Sequence, residues 1–552
     1  MPSPVSESTP HSAGRRLLGS RYSEEFYAQH LAPAPWHWFP PASDRAAWES
    51  RLAHPANRRR LDWIVARGES VLGQDWPALP ATRYMDYARN GDRSRYEQAY
   101  FERRERIAVL ALAEAMEHKG RFLDELANGL WAVCEESTWC LPAHAARAEG
   151  DPLPRLDFEN VDLFAAETAL TLASAHALLG AELYRLSPVL GERIRRETLR
   201  RVIVPVETSD VYGWFQGRNN WSPWCASNVL GAAFIHVNDS ARLARLCVRL
   251  GDVVDRFIDH YADDGGCDEG PAYWAEAPGA MLVFLELLHA RTGGRVDIYA
   301  EPKIAAMGEF IARAQIDGPW FVNFSDADAR PQPPPGRAYR YGQRIGSAAL
   351  RRLALLSQRD WHADGPHEPP FIMHGSGRQL IGPLMQYFWI PPDATPADET
   401  VASSSLVWLP DLQVLFAREN GAAPGRGLHL AAKGGHNDEN HNHNDIGHFI
   451  VSLDGQPALI DLGRGQYRAE TFSPRRYELE FTRGRSHNAP VIDGVEQSAG
   501  RNFAAHSVRC ETGPNHVGLE MYLENTYTAA ARNCTSCAAP GVSTPPSPPA
   551  SR

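Results

Sequence analysis

The chain changes its hydrophobic rhythm once, near residue 400. From about 45 to 390 apolar residues recur at three- and four-residue steps, the mark of helices with one buried face. Ile107, Leu110, Ala111 and Glu114 open one such helix, and Phe122, Leu123, Leu126, Leu130 and Val133 stripe the next. Further helical stretches are predicted at 160–179, 191–203, 226–237, 240–261 and 278–291. The polar loops between them carry Trp139, Trp214, Trp221, Trp224, Tyr273 and Trp274. Paired helices with aromatics gathered in their loops predict a curved toroid or a solenoid with a sugar-binding face; no clean repeat separates the two. After a linker at 391–403, short apolar runs at 406–409, 412–416, 428–431, 449–453 and 458–460 are bounded by Gly, Asp and Pro. Asp454-Gly455 between two of them is a hairpin signal. This half predicts an antiparallel β-sandwich. The expected organisation is a loosely ordered segment at 1–44, helices at 45–390, linker at 391–403, sandwich at 404–525 and a disordered Pro/Ser tail at 526–552.

Composition narrows the function classes. Of 552 residues, 43% are hydrophobic and 22% charged, which excludes wholesale disorder. Against 67 acidic residues stand 56 basic ones, a net charge of −11, so nothing draws the chain as a whole to nucleic acid or to an anionic membrane. An acidic polymer would need a local basic or metal-bearing cleft. No run of about 18 apolar residues is present to span a bilayer. The amino terminus lacks the apolar core of a secretory signal, and eight scattered cysteines fit a reducing compartment, so the expected location is cytoplasmic. Cys534 and Cys537 have metal-knuckle spacing but no second pair, which reads as chance in a biased tail.

Three segments concentrate the chemistry. In residues 434–449, GGHNDENHNHNDIGHF, four histidines (His436, His441, His443 and His448) fall within 13 positions, with Asp461 and His487 downstream. His-x-His with a remote Asp and a remote His is a usable zinc set. The alternative is a hydrogen-bonded polar loop at a sheet edge. A two-residue hairpin at Asp454-Gly455 pairs Asp461 with His448 rather than His443, so spacing leaves open which histidine joins Asp461. Residues 214–225, WFQGRNNWSPWC, set Asn219, Asn220 and Arg218 among tryptophans, as in a carbohydrate cleft or at a helix start with a buried Trp cluster. Residues 263–277, DDGGCDEGPAYWAEA, present Tyr273 and Trp274, and Glu269 with Glu276 could form a glycosidase carboxylate pair.

Taken together, RNNWSPW, DEGPAYW, HNHNDIGHFIVSLDGQPALIDLG, TFSPRRYE and SHNAPVIDG, in that order, resemble the heparinase II/III-like family of polysaccharide lyases. The resemblance covers about 100 to 525. It implies an incomplete α/α toroid followed by an antiparallel β-sandwich, here shortened by the Pro/Ser tail. It also implies β-elimination on uronate-containing glycans and a structural zinc ion. Carried over by motif, the metal ligands are His443, Asp461 and His487, and His441 is a catalytic histidine. Tyr273 and Tyr477 are the helical-domain and sandwich tyrosines. Asn219 grips the substrate carboxylate, and Asn220 stands where some relatives carry histidine. Arg218, Trp221, Trp274, Arg475 and Arg476 are the expected substrate-binding residues, the last two also as cations that lower the Tyr477 pKa. The implied partner is an acidic oligo- or polysaccharide, with neither nucleic acid nor membrane, and a homodimer is one assembly open to it. A hydrolase using Glu269 and an inactive sugar-binding protein are the competing readings.

Overall fold

The structure, a computed structural model, describes residues 16–360, 380–399, 401, 404–419, 421, 425–513 and 516–527. The predicted tail from 528 onward and the Cys534/Cys537 pair lie outside the described residues. Helices run from Glu24 to Trp389, and strands dominate from Leu406 to Tyr522.

Burial explains the longest helices. Within Ser94–Glu117 every residue from Arg106 to Met116 is buried, and a helix apolar on all sides belongs in a core. Leu163–Leu186 is long and apolar enough, by length and composition, to cross a membrane, and 78% of that window is buried inside the protein. It packs against Trp221–His236 and Pro188–Thr198. The helix Ser240–His260 is one-sided instead: Leu243, Leu246, Leu250, Val253 and Phe257 are buried at helical spacing, and the Asp239 side chain caps its start.

The amino-terminal segment departs from the expectation of loose order. From residue 16 onward it is anchored: Leu17, Leu18 and Tyr27 are buried, and the Asp255 carboxylate accepts the backbone N–H groups of Leu18 and Gly19. Trp38 meets Trp389 edge to face, and Phe39 packs at a tilt against Phe388. A segment rich in Pro and Ala is ordered here because aromatic side chains at both ends of the helical array bury one another.

Strands β1 (Gln315–Asp317) and β2 (Trp320–Phe321) form a short ribbon. The main sheet is antiparallel in the order β3-β4-β5-β7-β8, with β3 Leu406–Leu409, β4 Val414–Arg418, β5 Leu428–Lys433, β7 Phe449–Leu453 and β8 Gln456–Leu459. β6 (His436–Asn437) pairs with β9 (Gly500–Ala504), and β10 (His506–Gly513) with β11 (His516–Tyr522). Alternation along β4 gives the sheet two faces. Val414 and Phe416 join the core of the helical array, whereas Leu415 packs in a second core with Ile446, Leu519 and Met521. Tyr527 also belongs to that second core, so the folded region runs past the predicted boundary at 525. The two halves clasp each other through exchanged carboxylates: Asp264 accepts Asp411 and Leu412 N–H groups, and Asp411 accepts those of Asp263 and Asp264.

The Asp454-Gly455 hairpin forms as a two-residue turn between Leu453 and Gln456, with φ of 50° and 74°. Both central residues are left-handed, as a type I′ turn requires.

Candidate active site

The turn after β2 and the loop after β6 meet at one carboxylate. Asp326, fully buried, accepts from His441 Nδ1 at 2.7 Å, His443 Nε2 at 2.9 Å, Tyr467 Oη at 3.0 Å and Arg476 Nη2 at 3.0 Å on both oxygens. Burial alone would raise the Asp326 pKa; the two histidines and Arg476 outweigh it and hold the group far below the carboxylate range. Asp326 is therefore an anion and only accepts. Tyr467 spends its single proton on Asp326, so the 2.7 Å contact between the Tyr273 and Tyr467 hydroxyls has Tyr273 as donor. The Tyr273 ring lies 4.1 Å from the His441 ring, centroid to centroid. Burial, then Tyr467, push the Tyr273 pKa well up, so its hydroxyl is a proton carrier and not a phenolate at neutral pH.

The loop carrying Tyr273 needs Gly270. At φ 93° it passes so close to the Phe324 carbonyl that a Cβ would sit 2.4 Å from that oxygen. The same loop supplies Glu269, whose Oε1 accepts the Asn220 N–H at 3.2 Å and whose Oε2 lies 3.9 Å from His441 Nε2. Burial pushes Glu269 up to about 7, with His441 opposing. Asn219 and Arg218 line a cavity of about 860 Å³ together with Trp221, Trp214, His144 and Arg155. Tyr467 and Arg464 line a second, of about 390 Å³.

Several expected site residues take other places. Trp274 is fully buried with its indole N–H on the Met307 and Gly308 carbonyls, so it is core and cannot stack on a sugar. Arg476 is buried on Asp326, Thr471 and Asn442, which makes it a brace for the cluster and not a substrate contact. Arg475 is exposed and paired with Glu478. Tyr477 receives a hydrogen bond from Asn442, and its pKa is raised by burial despite Arg476; Tyr467 takes the place beside Tyr273.

A second group lies alongside. His448, Asp461 and His487 are buried with ligand atoms within 4.8 Å of one another. His443 stands outside that group, its ring 5.1 Å from that of His487. Hydrogen-bond direction separates the two candidates for Asp461's partner. His448 Nδ1 accepts the Asn488 backbone N–H at 2.9 Å, so its neutral ring carries the proton on Nε2, 2.7 Å from Asp461. His443 gives its Nε2 proton to Asp326, which leaves Nδ1 with a lone pair, buried and unpartnered. His487 donates from Nδ1 to Asp461 and leaves Nε2 in the same state. Distance thus favours His448, whose Nε2 is also buried without a well-formed hydrogen bond, and the free lone pair favours His443. Buried, unpartnered imidazole nitrogens beside a carboxylate are a donor set that fits zinc.

Residues 424–535 match the family model described as Heparinase II/III-like, C-terminal. That match falls within the sheet half and spans the histidine segment, Asp461 and His487. Among solved structures, a heparinase III gene product is similar over 90% of this chain and 76% of its own, at 15% identity and a TM-score of 0.50. A crystal structure of heparinase III is similar over 76% of this chain and 58% of its own, at 11% identity and a TM-score of 0.52. A mutant of the heparan sulfate lyase HepC from Pedobacter heparinus is similar over 91% and 75%, at 12% identity and a TM-score of 0.51. These likenesses establish a shared fold of helices followed by antiparallel sheets. No curated protein sequence matches the chain.

Within the matched region the histidine segment is placed by β5 and β7, which bracket it. Two residues of the cluster carried no sequence signal of their own. Asp326 sits in an ordinary acidic turn, SDADAR, and Tyr467 lies between two segments that carried the resemblance.

Proposed function

We propose that the chain is a lyase that cleaves uronate-containing oligo- or polysaccharides by β-elimination, with the helices read as an incomplete α/α toroid and the sheets as a sandwich. The observation that carries this is the close, tilted packing of a neutral tyrosine, Tyr273, against a histidine, His441, whose Nδ1 proton is committed to Asp326. That leaves His441 Nε2 as acceptor and the Tyr273 hydroxyl as donor, the base and acid that elimination needs. Asn219 and Arg218, on the cavity wall, bind the uronate carboxylate and stabilise the enolate-like charge as it develops. His441 removes the C5 proton, and the electrons of that C–H bond form the C4–C5 double bond. The C4–O4 bond breaks, and O4 takes the Tyr273 proton.

The same reading includes a structural zinc ion, held by His443, Asp461 and His487, which would pin the histidine loop to the sheet. Purified protein should contain about one zinc per chain. His443→Ala should lose it, because the Nδ1 lone pair goes. His448→Ala should keep the stoichiometry, because that ring presents a proton to Asp461. Elemental analysis of the two variants decides, and loss of zinc from His448→Ala alone would transfer the ligand role to His448.

The reaction is tested by ultraviolet absorbance of the unsaturated uronate across a panel of uronate oligomers. Glu269→Gln should still give unsaturated ends, since Gln copies the neutral acid that prevails below pH 7, and the pH profile should flatten near 7. A hydrolase would instead give saturated ends heavier by one water and lose about 10²–10⁴-fold in rate on this substitution.

A further inference from the structure

Asp326 serves two histidines that face different ways. Oδ2 takes the His441 Nδ1 proton and Oδ1 the His443 Nε2 proton. An ionised carboxylate offers acceptors only, so the two rings, two residues apart, are held in opposite tautomers. The nitrogens left unprotonated are His441 Nε2, 3.9 Å from Glu269 Oε2, and His443 Nδ1, buried and unpartnered near His487. Arg476 reaches both oxygens from one nitrogen and fixes the carboxylate plane. Bringing these groups together strains the backbone: Ser325, beside Asp326, has φ 62°, and His441 has φ 55°. Left-handed conformations at non-glycine residues cost of order 1–3 kcal/mol each and persist where surrounding contacts over-determine them.

We propose that Asp326 is a positioning residue that sets both tautomers from one carboxylate and so couples the ion pocket to the reaction cleft. A histidine that ligates a metal is oriented by the acceptor on its other nitrogen, and loss of that acceptor typically costs about 10–100-fold in metal affinity or activity. Here one acceptor performs that service for His443 and, for His441, selects which nitrogen can take a proton. Disturbing Asp326 therefore strikes both sites at once, although it touches neither the ion nor the sugar. The metal arm of this inference rests on the zinc reading above; the tautomer arm does not.

Neutron diffraction from crystals of the intact protein near neutral pH reads the tautomers directly. Deuterium is expected on His441 Nδ1 and His443 Nε2; deuterium on the opposite, and not the expected, nitrogen of either ring overturns the proposal. Asp326→Asn tests the coupling, because its amide N–H faces one histidine donor with another donor. It should lower kcat by about 10–100-fold with KM little changed, and should release zinc to a chelator about 10–100-fold faster. A change in only one of these readouts, or in neither, overturns the shared role. If the variant does not fold, the neutron result on the parent protein still decides. If the parent holds no zinc, the zinc reading fails by itself and the tautomers remain the test.

Discussion

Tyr273→Phe should cut turnover by about 10²–10⁴-fold, the usual worth of a positioned general acid, while leaving substrate affinity nearly intact. The substitution deletes one hydroxyl and keeps the ring that packs against His441 at 4.1 Å. It also spares the hydrogen-bond chain below: Tyr467 still donates to Asp326 and loses only the proton offered by Tyr273. Removing that single hydrogen bond costs about 0.5–1.5 kcal/mol of stability, too little to unfold a chain of this size. The assignment of Tyr273 as acid and not base follows from its surroundings. Burial disfavours the phenolate, and Asp326 and Glu269 push in the same direction. A tyrosine base would need cations against it, and the candidates are spent elsewhere: Arg464 on Asp328 and Arg476 on Asp326. Steady-state kinetics with equilibrium binding of the same oligosaccharide check the split. Turnover close to the parent's would move the acid to another hydroxyl, with Tyr467 next in line.

The sequence carried the large divisions of this fold because they rest on periodicity. Leu243, Leu246, Leu250, Val253 and Phe257 announce a one-sided helix at any reading, and Asp454-Gly455 announces a two-residue turn. The chemistry was legible where it clustered locally: His441, His443, His448, Asn219 and Tyr273 all stand in compositionally odd segments. What escaped was the side chain that joins them. Asp326 is 115 residues from His441 and 150 from Arg476, and no local pattern reports a contact of that span. Trp274 and Arg476 show the opposite error. A tryptophan in a polar loop and an arginine beside a tyrosine both resemble sugar contacts, but each is buried by elements far away in the chain. The lone-pair argument for His443 over His448 rests on a single backbone N–H, that of Asn488, which no spacing rule encodes.

Lys433→Met should be the most destabilising single change in the sheet half, and its cost should grow with pH. Lys433 closes β5 with its ammonium buried, 2.8 Å from Asp445 and 2.9 Å from Glu439. Burial disfavours that charge, and the two carboxylates more than restore it, so Lys433 stays protonated. Met matches the stem but leaves both acids without a cation, and breaking a buried ion pair from one side costs about 3–5 kcal/mol. Glu439 already sits at about 7, pushed up by burial with Lys433 opposing and Asp445 adding to the rise. A carboxyl whose folded pKa exceeds its unfolded value of 4.5 binds a proton more tightly in the native state, so stability falls as pH rises through that interval. Without Lys433 the interval widens for Glu439 and opens for Asp445. Denaturant unfolding at pH 5.5 and pH 8 should therefore show a larger loss at pH 8, where neither acid can escape its charge by binding a proton. Adding Glu439→Gln to Lys433→Met should recover part of the stability at pH 8 and little at pH 5.5. An equal loss at both pH values would mean that packing of the lysine stem, and not its charge, holds β5 to the histidine loop. The position matters for function as well as stability, because the Lys433 backbone N–H and C=O bond His448 and Gly447. The ammonium that neutralises two buried acids thus also closes the loop that carries His441 and His443.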